Sequence, residues 1–537
     1  MTTDASPSHE HPMTRRQLLR GAAVAGATTA LTLAPVSFAQ AGEQRGEGDR
    51  TNEDQPNQGQ PDQTRVVTGR IEEGPPDFVY LPIDVPGGVR EIAVSYSYNR
   101  PPVPPGVPGN ACDIGIFDER GIEIGGRGFR GWSGGFRTEF AISATQATPG
   151  YLPGPVKPGR WNVVLGPYQV APAGLDYRVE ITLRYGAAGP AFVPAFPPQQ
   201  VPGTGPGWYR GDCHLHTVHS DGARLPREVA AGARAAGLNF IVSTEHNTSS
   251  AHAVWGPLAG NDLLILVGEE VTTRNGHCLT LGVEPGLWVD WRYRARDEEF
   301  PKVVRQVRGS GGLVVPAHPY CPFIGCQWKF GYADADAIEV WNGPWTIDDQ
   351  SSVDTWDAQL ALSVRRGGGW LPAIGNSDAH REPQVIGLPH TVVGAQRLDR
   401  AAIIDGIRAG RSWLAESAGV ELSLILTSGG ASAGIGDTLT VAESTPVDVS
   451  LTVSGVPNGV VRLLTDEGQM HQESLPASGT GTARWRTTAA AAAYVRAEVR
   501  HPRPDGTAGP GGNGVSELPF GPMAAMTNPV LLRAGRR

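Results

Sequence analysis

The spacing of hydrophobic and polar positions changes repeatedly along this chain, and each change predicts a different kind of structure. Residues 42–64 (GEQRGEGDRTNEDQPNQGQPDQT) hold no aliphatic or aromatic side chain. Such a segment cannot bury enough surface to offset its ordering entropy, so a disordered linker is expected there. Over 65–190 short β-like runs follow (FVYLPIDV, EIAVSYSY, CDIGIF, WNVVLGPYQV, YRVEITLRY), split by Gly/Pro clusters, which predicts an antiparallel β-sandwich. After a proline-rich connector, residues 205–417 alternate short apolar runs with helical patterns. FIVSTEHN follows PREVAAGARAAGL, GGLVVPAHPY follows FPKVVRQVRGS, and WLPAIGNSDAH follows a predicted helix over Ser352–Arg365. That alternation predicts an α/β unit with a largely parallel sheet, open or closed into a barrel. Over 418–537 β-like runs return (ELSLILTS, VDVSLTVSGV, TARWRTT, YVRAEVRH), predicting a second small sandwich. The fold class expected is multidomain α/β plus all-β.

The first 41 residues read differently again. Arg15 and Arg16 precede a weakly apolar Gly/Ala/Thr-rich run, and Ala39-Gln40-Ala41 offers a small-x-small cleavage site. This is the pattern of a twin-arginine signal peptide, which implies the Tat export machinery as a partner and a periplasmic or extracellular location. The net charge of −9 and the lack of a basic stripe argue against nucleic acid. Five cysteines in 537 residues do not make a disulfide scaffold. Cys321 and Cys326 share one loop, a spacing compatible with a disulfide and with two free thiols. Cys213 and Cys278 adjoin histidines, and strand alternation turns them to the opposite face as small hydrophobes.

Nine of the thirteen histidines lie between His214 and His390. Predicted strands in this region end in metal-ligand residues: His214 and His216, then His246, Glu270, His318, and finally Asp378 and His380. Asp221 follows the first pair in a loop, and His277 follows a turn. Period-two spacing puts His214 and His216 on one face, close enough to share an ion. Strand ends converge in a β/α barrel, so these nine residues are candidate ligands of one cluster. That number exceeds the needs of one four-coordinate ion and suits two or three divalent ions. The mixed imidazole and carboxylate set suits zinc, manganese or iron.

The motifs HLHTVHSDG, STEHN, GEEV, GHC, PAHP, EVWNG and GNSDAH, in that order, resemble the PHP (polymerase and histidinol phosphatase) superfamily over about 200 residues. The resemblance implies a distorted (β/α)7 barrel, flanked here by an N-terminal and a C-terminal β-sandwich. It implies His214, His216, Glu270 and Asp378 around a first ion. Glu270 (bridging), His277 and His318 would hold a second, and Asp221, His246 and His380 a third. The export signal, the leading β-domain and GWYRGDCHLHT together look like the carbaryl-hydrolase-like branch.

Ions in such a cluster acidify water for attack at phosphorus or carbon. The first expectation is an exported phosphoesterase acting on small phosphomonoesters. The alternative is an aryl ester or carbamate hydrolase using the same cluster, and a third reading is a non-catalytic surface-polymer binder. Glycan or cell-surface contact through the sandwiches would suit that third reading. Beside Glu270, the candidate catalytic residues are Arg381, as an anion clamp, and His219 and His390, as general acids. A cationic pocket around Arg381 or Arg274 would favour phosphate, and an aromatic one built from Tyr320 or Trp341 would favour aryl esters.

Overall fold

Alternating burial builds the first pair of layers. In the computed structural model, which describes residues 60–502 and 521–535, the strand Val79–Val85 buries Leu81, Ile83 and Val85 and exposes Pro82 and Asp84 between them. It belongs to a four-stranded antiparallel sheet with Gly159–Gln169, Ala111–Phe117 and Phe129–Trp132. A second antiparallel sheet holds Gln63–Ile71, Leu175–Tyr185, Val89–Tyr98 and Glu139–Ser143. Ile92, Val94 and Val179 of one sheet share a core with Ile114, Val163 and Leu165 of the other. The first strand begins at Gln63, inside the stretch expected to be linker, and pairs with Leu183 there. The signal expected at 1–41 and residues 42–59 lie outside the described residues.

In the centre, parallel pairing joins Gly207–Leu215 to Phe240–Ser243, and that strand to the start of Leu264–Thr273. Strand–helix alternation then fails. Leu264–Thr273 turns through Arg274 and Asn275 into Gly276–Leu281, an antiparallel partner, which pairs antiparallel with Leu313–Ala317. The cause is local: Gly276 follows Asn275 with φ 110°, a conformation open to glycine, so the turn expected before His277 closes a tight hairpin with no crossover helix. Ile338–Asn342 and Ala373–Asn376 form a separate parallel pair, packed between Leu313–Ala317 on one side and Gly207–Leu215 on the other. The molecule is therefore mostly β with few helices.

Among the described residues the α-helices are Pro226–Ala235, Gly256–Ala259, Phe300–Gly309, Ile347–Arg365 and Arg400–Arg408. The fourth begins at Ile347 rather than Ser352 because Asp349 accepts from the Thr346 backbone N–H at 2.7 Å and caps the first turn.

The central sheet does not stop at its expected boundary. His390–Ala395 pairs with Gly207–Leu215 and with Ser412–Ala415, which pairs in turn with Met523–Thr527. Tyr494–Arg500, Val460–Thr465 and Gly468–Ser474 continue the same sheet. A four-stranded sheet of Ala431–Gly434, Glu421–Ser428, Pro446–Ser454 and Gly481–Thr488 covers one face of this extension, and Val392 and Trp413 contribute to the shared core.

Candidate metal centre

His214 and His216 end the strand Gly207–Leu215 or follow it directly, and both are fully buried. Their rings face two carboxylates from other elements. His214 Nε2 lies 3.2 Å from Glu270 Oε2 and 3.3 Å from Asp378 Oδ1, and His216 Nε2 lies 3.3 Å and 3.2 Å from the same two atoms. Yet His214 Nε2, His216 Nε2 and Glu270 Oε2 make no hydrogen bond although all three are buried. Lone pairs aimed at a common point rather than at each other are what a cation requires. The edge of a tetrahedron with ~2.0 Å bonds is about 3.3 Å, so the donor spacing fits a divalent metal.

Glu270 divides its two oxygens. Oε1 accepts from His277 Nδ1 at 2.8 Å and meets His318 Nε2 at 3.0 Å, while Oε2 faces His214, His216 and, at 3.0 Å, His246 Nδ1. A third group forms where Asp221 Oδ1 meets His380 Nε2 at 3.1 Å and His246 Nε2 at 3.5 Å. All nine candidate ligands thus come together. Strand alternation separates the tandem glutamates: Glu269 points away and accepts from the Val289 backbone N–H at 3.0 Å. Burial, with Asp290 nearby, holds its carboxyl well above the usual range.

Charge sharpens this contrast. Burial alone would raise Glu270 and Asp378, but the surrounding histidines hold both well below the usual carboxylate range. Burial alone would lower the two paired imidazoles, yet the facing carboxylates raise His214 well above its usual range and His216 to about 10. A cation entering the cluster therefore displaces protons.

Two of the candidate ligands carry unusual backbones. His318 has φ 30° and Asp378 φ 49°, left-handed values that are costly for side-chain-bearing residues and concentrate at functional sites. Other groups orient the rings. Glu339 Oε1 accepts from His214 Nδ1 at 3.0 Å, and its two oxygens also take the His318 backbone N–H, Asn342 and Asn376. Glu245 accepts from Thr217 and from Ser220 Oγ at 2.6 Å, and Ser220 Oγ lies 3.3 Å from His216 Nδ1. Ser220 had no signal of its own in the sequence beyond its place in HSDG.

Cys321 and Cys326 form a disulfide, with Cys326 Sγ 3.4 Å from His318 Nδ1, so Cys326 supports the ring without offering a thiolate. Cys213 and Cys278 are buried free thiols within the hydrophobic cores.

The remaining sequence candidates are placed elsewhere. His219 bonds Ser250 Oγ at 2.9 Å, and burial depresses it to about 4. His390 lies between the Gly387 carbonyl and Arg210, also depressed by burial to about 4. Neither has a polar contact with a cluster residue. The structure thus corrects the general-acid role expected of them: His219 sits in the loop after the strand Gly207–Leu215 with its ring on Ser250, and His390 opens the strand His390–Ala395 with its ring held by Gly387 and Arg210. Arg381 is exposed at the mouth, its guanidinium 3.5 Å from the Asp221 carbonyl.

A cavity of about 250 Å³ opens onto Ser220, Asp221, His246 and His277. Its other walls come largely from the N-terminal sandwich, through Phe78, Trp132, Phe136 and Tyr168, joined by Trp291 and Tyr293. Arg274 also lines it, but each of its three nitrogens is engaged, by Asp77 and by the carbonyls of Tyr168 and Pro167. Tyr320 and Trp341, expected as the aromatic wall, are not part of it. Tyr320 bonds Thr355, and Trp341 is buried with its indole N–H on the Gly343 carbonyl.

No family model and no curated protein matches the chain. Among solved structures it is similar to a two-domain protein from Bacteroides vulgatus ATCC 8482 described as containing a predicted PHP-like metal-dependent phosphoesterase. Identity there is 17%, covering 59% of this chain and 95% of that one, with a TM-score of 0.33. A protein from Bifidobacterium adolescentis ATCC 15703 described as a metal-dependent phosphoesterase is 20% identical over 39% of this chain and 96% of its own, with a TM-score of 0.26. An amidohydrolase from Chromobacterium violaceum with bound sulfate and no metal is 21% identical over 33% and 89%, with a TM-score of 0.24. These likenesses are distant and partial, and the metal centre stands on its own geometry.

Proposed function

We propose that the protein is a metal-dependent hydrolase of ester bonds, exported by the twin-arginine route to the periplasm or beyond. The observation that carries this is Glu270, whose oxygens separate two groups of histidine nitrogens, as a carboxylate shared by two cations must. Two or three divalent ions of zinc, manganese or iron, held by the nine residues, would supply Lewis acidity and acidify water to near neutrality. The chain's own groups do the rest. Glu339 keeps the His214 proton on Nδ1, Ser220 and Glu245 steady His216, and the aromatic cavity desolvates and orients the organic part of the substrate.

The lining of that cavity supports a substrate preference. Its walls are aromatic and each nitrogen of its arginine already has a protein partner, which favours an aryl ester or carbamate, the chemistry of the carbaryl-hydrolase-like branch. A small phosphomonoester is the second reading, favoured by the exposed Arg381 beside Asp221 at the mouth. The test is metal analysis of the purified protein with a panel of aryl carboxylates, aryl carbamates and aryl phosphates. At least two tightly held ions per chain and faster turnover of the carbon esters are expected. Turnover of phosphates alone would reverse the order, and fewer than two ions would remove the cluster.

A further inference from the structure

One acid in the cavity has no protein partner. Asp113, on the strand Ala111–Phe117, lines the same cavity as the candidate ligands Asp221, His246 and His277, and among the described residues no N–H or O–H donates to its carboxylate. Its neighbour Asp77 is different, being paired with Arg294 at 2.5 Å and with Arg274 at 3.1 Å. Three glycines keep the space around Asp113 open. A Cβ at Gly135 would lie 3.4 Å from its Oδ1, one at Gly134 3.9 Å, and one at Gly166 3.3 Å from its Cβ. Close by, Trp132 and Trp291 pack with ring centroids 4.7 Å apart, and Phe78 meets both edge-on at 6.2 and 6.1 Å.

An unpaired carboxylate in an aromatic recess is costly to keep ionised, and burial pushes Asp113 up to about 7 against the pull of Arg274. A ligand cation would reverse that cost twice, by pairing with the carboxylate and by lying against ring faces. We infer that this cavity binds a protonated amine at the far end of the substrate, with Asp113 as its counter-ion and Trp132, Trp291 and Tyr168 as its walls. On the hydrolase reading, on which the substrate assignment rests, the scissile ester would lie toward Asp221, His246 and His277 and the ammonium toward the sandwich. The substrate class is then an amine-bearing ester, and the N-terminal sandwich sets specificity.

The test compares benzylammonium with benzyl alcohol, the second matching the first in shape without its charge. Binding is followed by tryptophan fluorescence on metal-loaded and on chelator-treated protein, so that ligation of the amine to an ion is separated from the Asp113 site. Benzylammonium should bind roughly tenfold tighter or more in both preparations. Asp113→Asn should abolish the preference and Asp113→Glu should retain it. Equal binding of the two probes, or a preference that survives Asp113→Asn, would overturn the assignment. The ester panel is read separately: amine binding without ester turnover would leave this site standing and sink the hydrolase, and turnover without amine preference would do the reverse.

Discussion

Glu339 Oε1 takes the Nδ1 proton of His214 at 3.0 Å, on the far side of the ring from the nitrogen that faces Glu270 and Asp378. A carboxylate behind a ligand histidine fixes its tautomer and raises its basicity. Glu339→Gln should therefore weaken metal binding by about 10- to 100-fold while leaving the fold intact. Metal titration of the apoprotein alongside circular dichroism checks this. Unchanged affinity would show that Glu339 only packs the strand end.

The adjacent glutamates should behave oppositely. Glu270→Gln removes charge from an atom pair shared by five histidines and should abolish hydrolysis and metal uptake. Burial raises the Glu269 carboxyl and its side chain turns away from the cluster, so Glu269→Gln should retain activity. Its contribution to stability has a definite sign. A carboxyl raised on folding loses stability as pH climbs above the unfolded carboxylate value of about 4.5 toward its raised folded value. Melting curves at pH 5 and pH 8 should therefore show the variant gaining on the parent as pH rises.

Metal affinity should itself depend on pH. His216 is raised to about 10, so at neutral pH an incoming cation must expel its proton. Affinity should increase steadily between pH 6 and 9, and calorimetry in buffers of different ionisation enthalpy should detect proton release. Chelation should lower the melting temperature, and ion at a hundred times its dissociation constant should restore about 2.7 kcal/mol. A pH-independent affinity would mean the rings enter the cluster already neutral.

Away from the site, Glu498 lies among Arg496, Arg500 and Arg462, at 2.9, 2.8 and 2.7 Å. Burial would raise it, but the three guanidinium groups depress it to about 2. A carboxylate lowered on folding contributes stability above its unfolded value of about 4.5 and loses it as pH falls toward 2. Glu498→Gln should cost about 3–5 kcal/mol at neutral pH, with the deficit shrinking in acid. Acid titrations of the melting temperature for both proteins measure it.

Much of the cluster was legible because strand ends and period-two spacing are local properties. HLH, EH, AH and DAH each mark a strand end without knowledge of the fold, whereas EE lies inside the strand Leu264–Thr273, which runs on into the hairpin. The choice between Glu269 and Glu270 needed the strand's facing, which the structure supplies through Val289. The turn at Asn275-Gly276 was legible, but the antiparallel pairing it makes was hidden because flanking apolar runs of similar length suit parallel and antiparallel strands alike. The cavity was hidden for a different reason. Asp113, Trp132 and Trp291 come from separate parts of the chain, and nothing in their local sequence distinguishes them from sandwich core or loop. Tyr320 lies two residues from His318 and Trp341 two residues from Glu339, but Thr355 and Gly343 occupy their polar atoms.

The pairing of Ser412–Ala415 with Met523–Thr527 ties the centre of the molecule to nearly the last strand of the chain. On the ribosome, the metal-binding region will have been made long before its neighbouring strand emerges, and that edge must wait with its backbone groups unpaired. Cutting the chain near residue 418 should thus yield an aggregating fragment rather than a smaller enzyme.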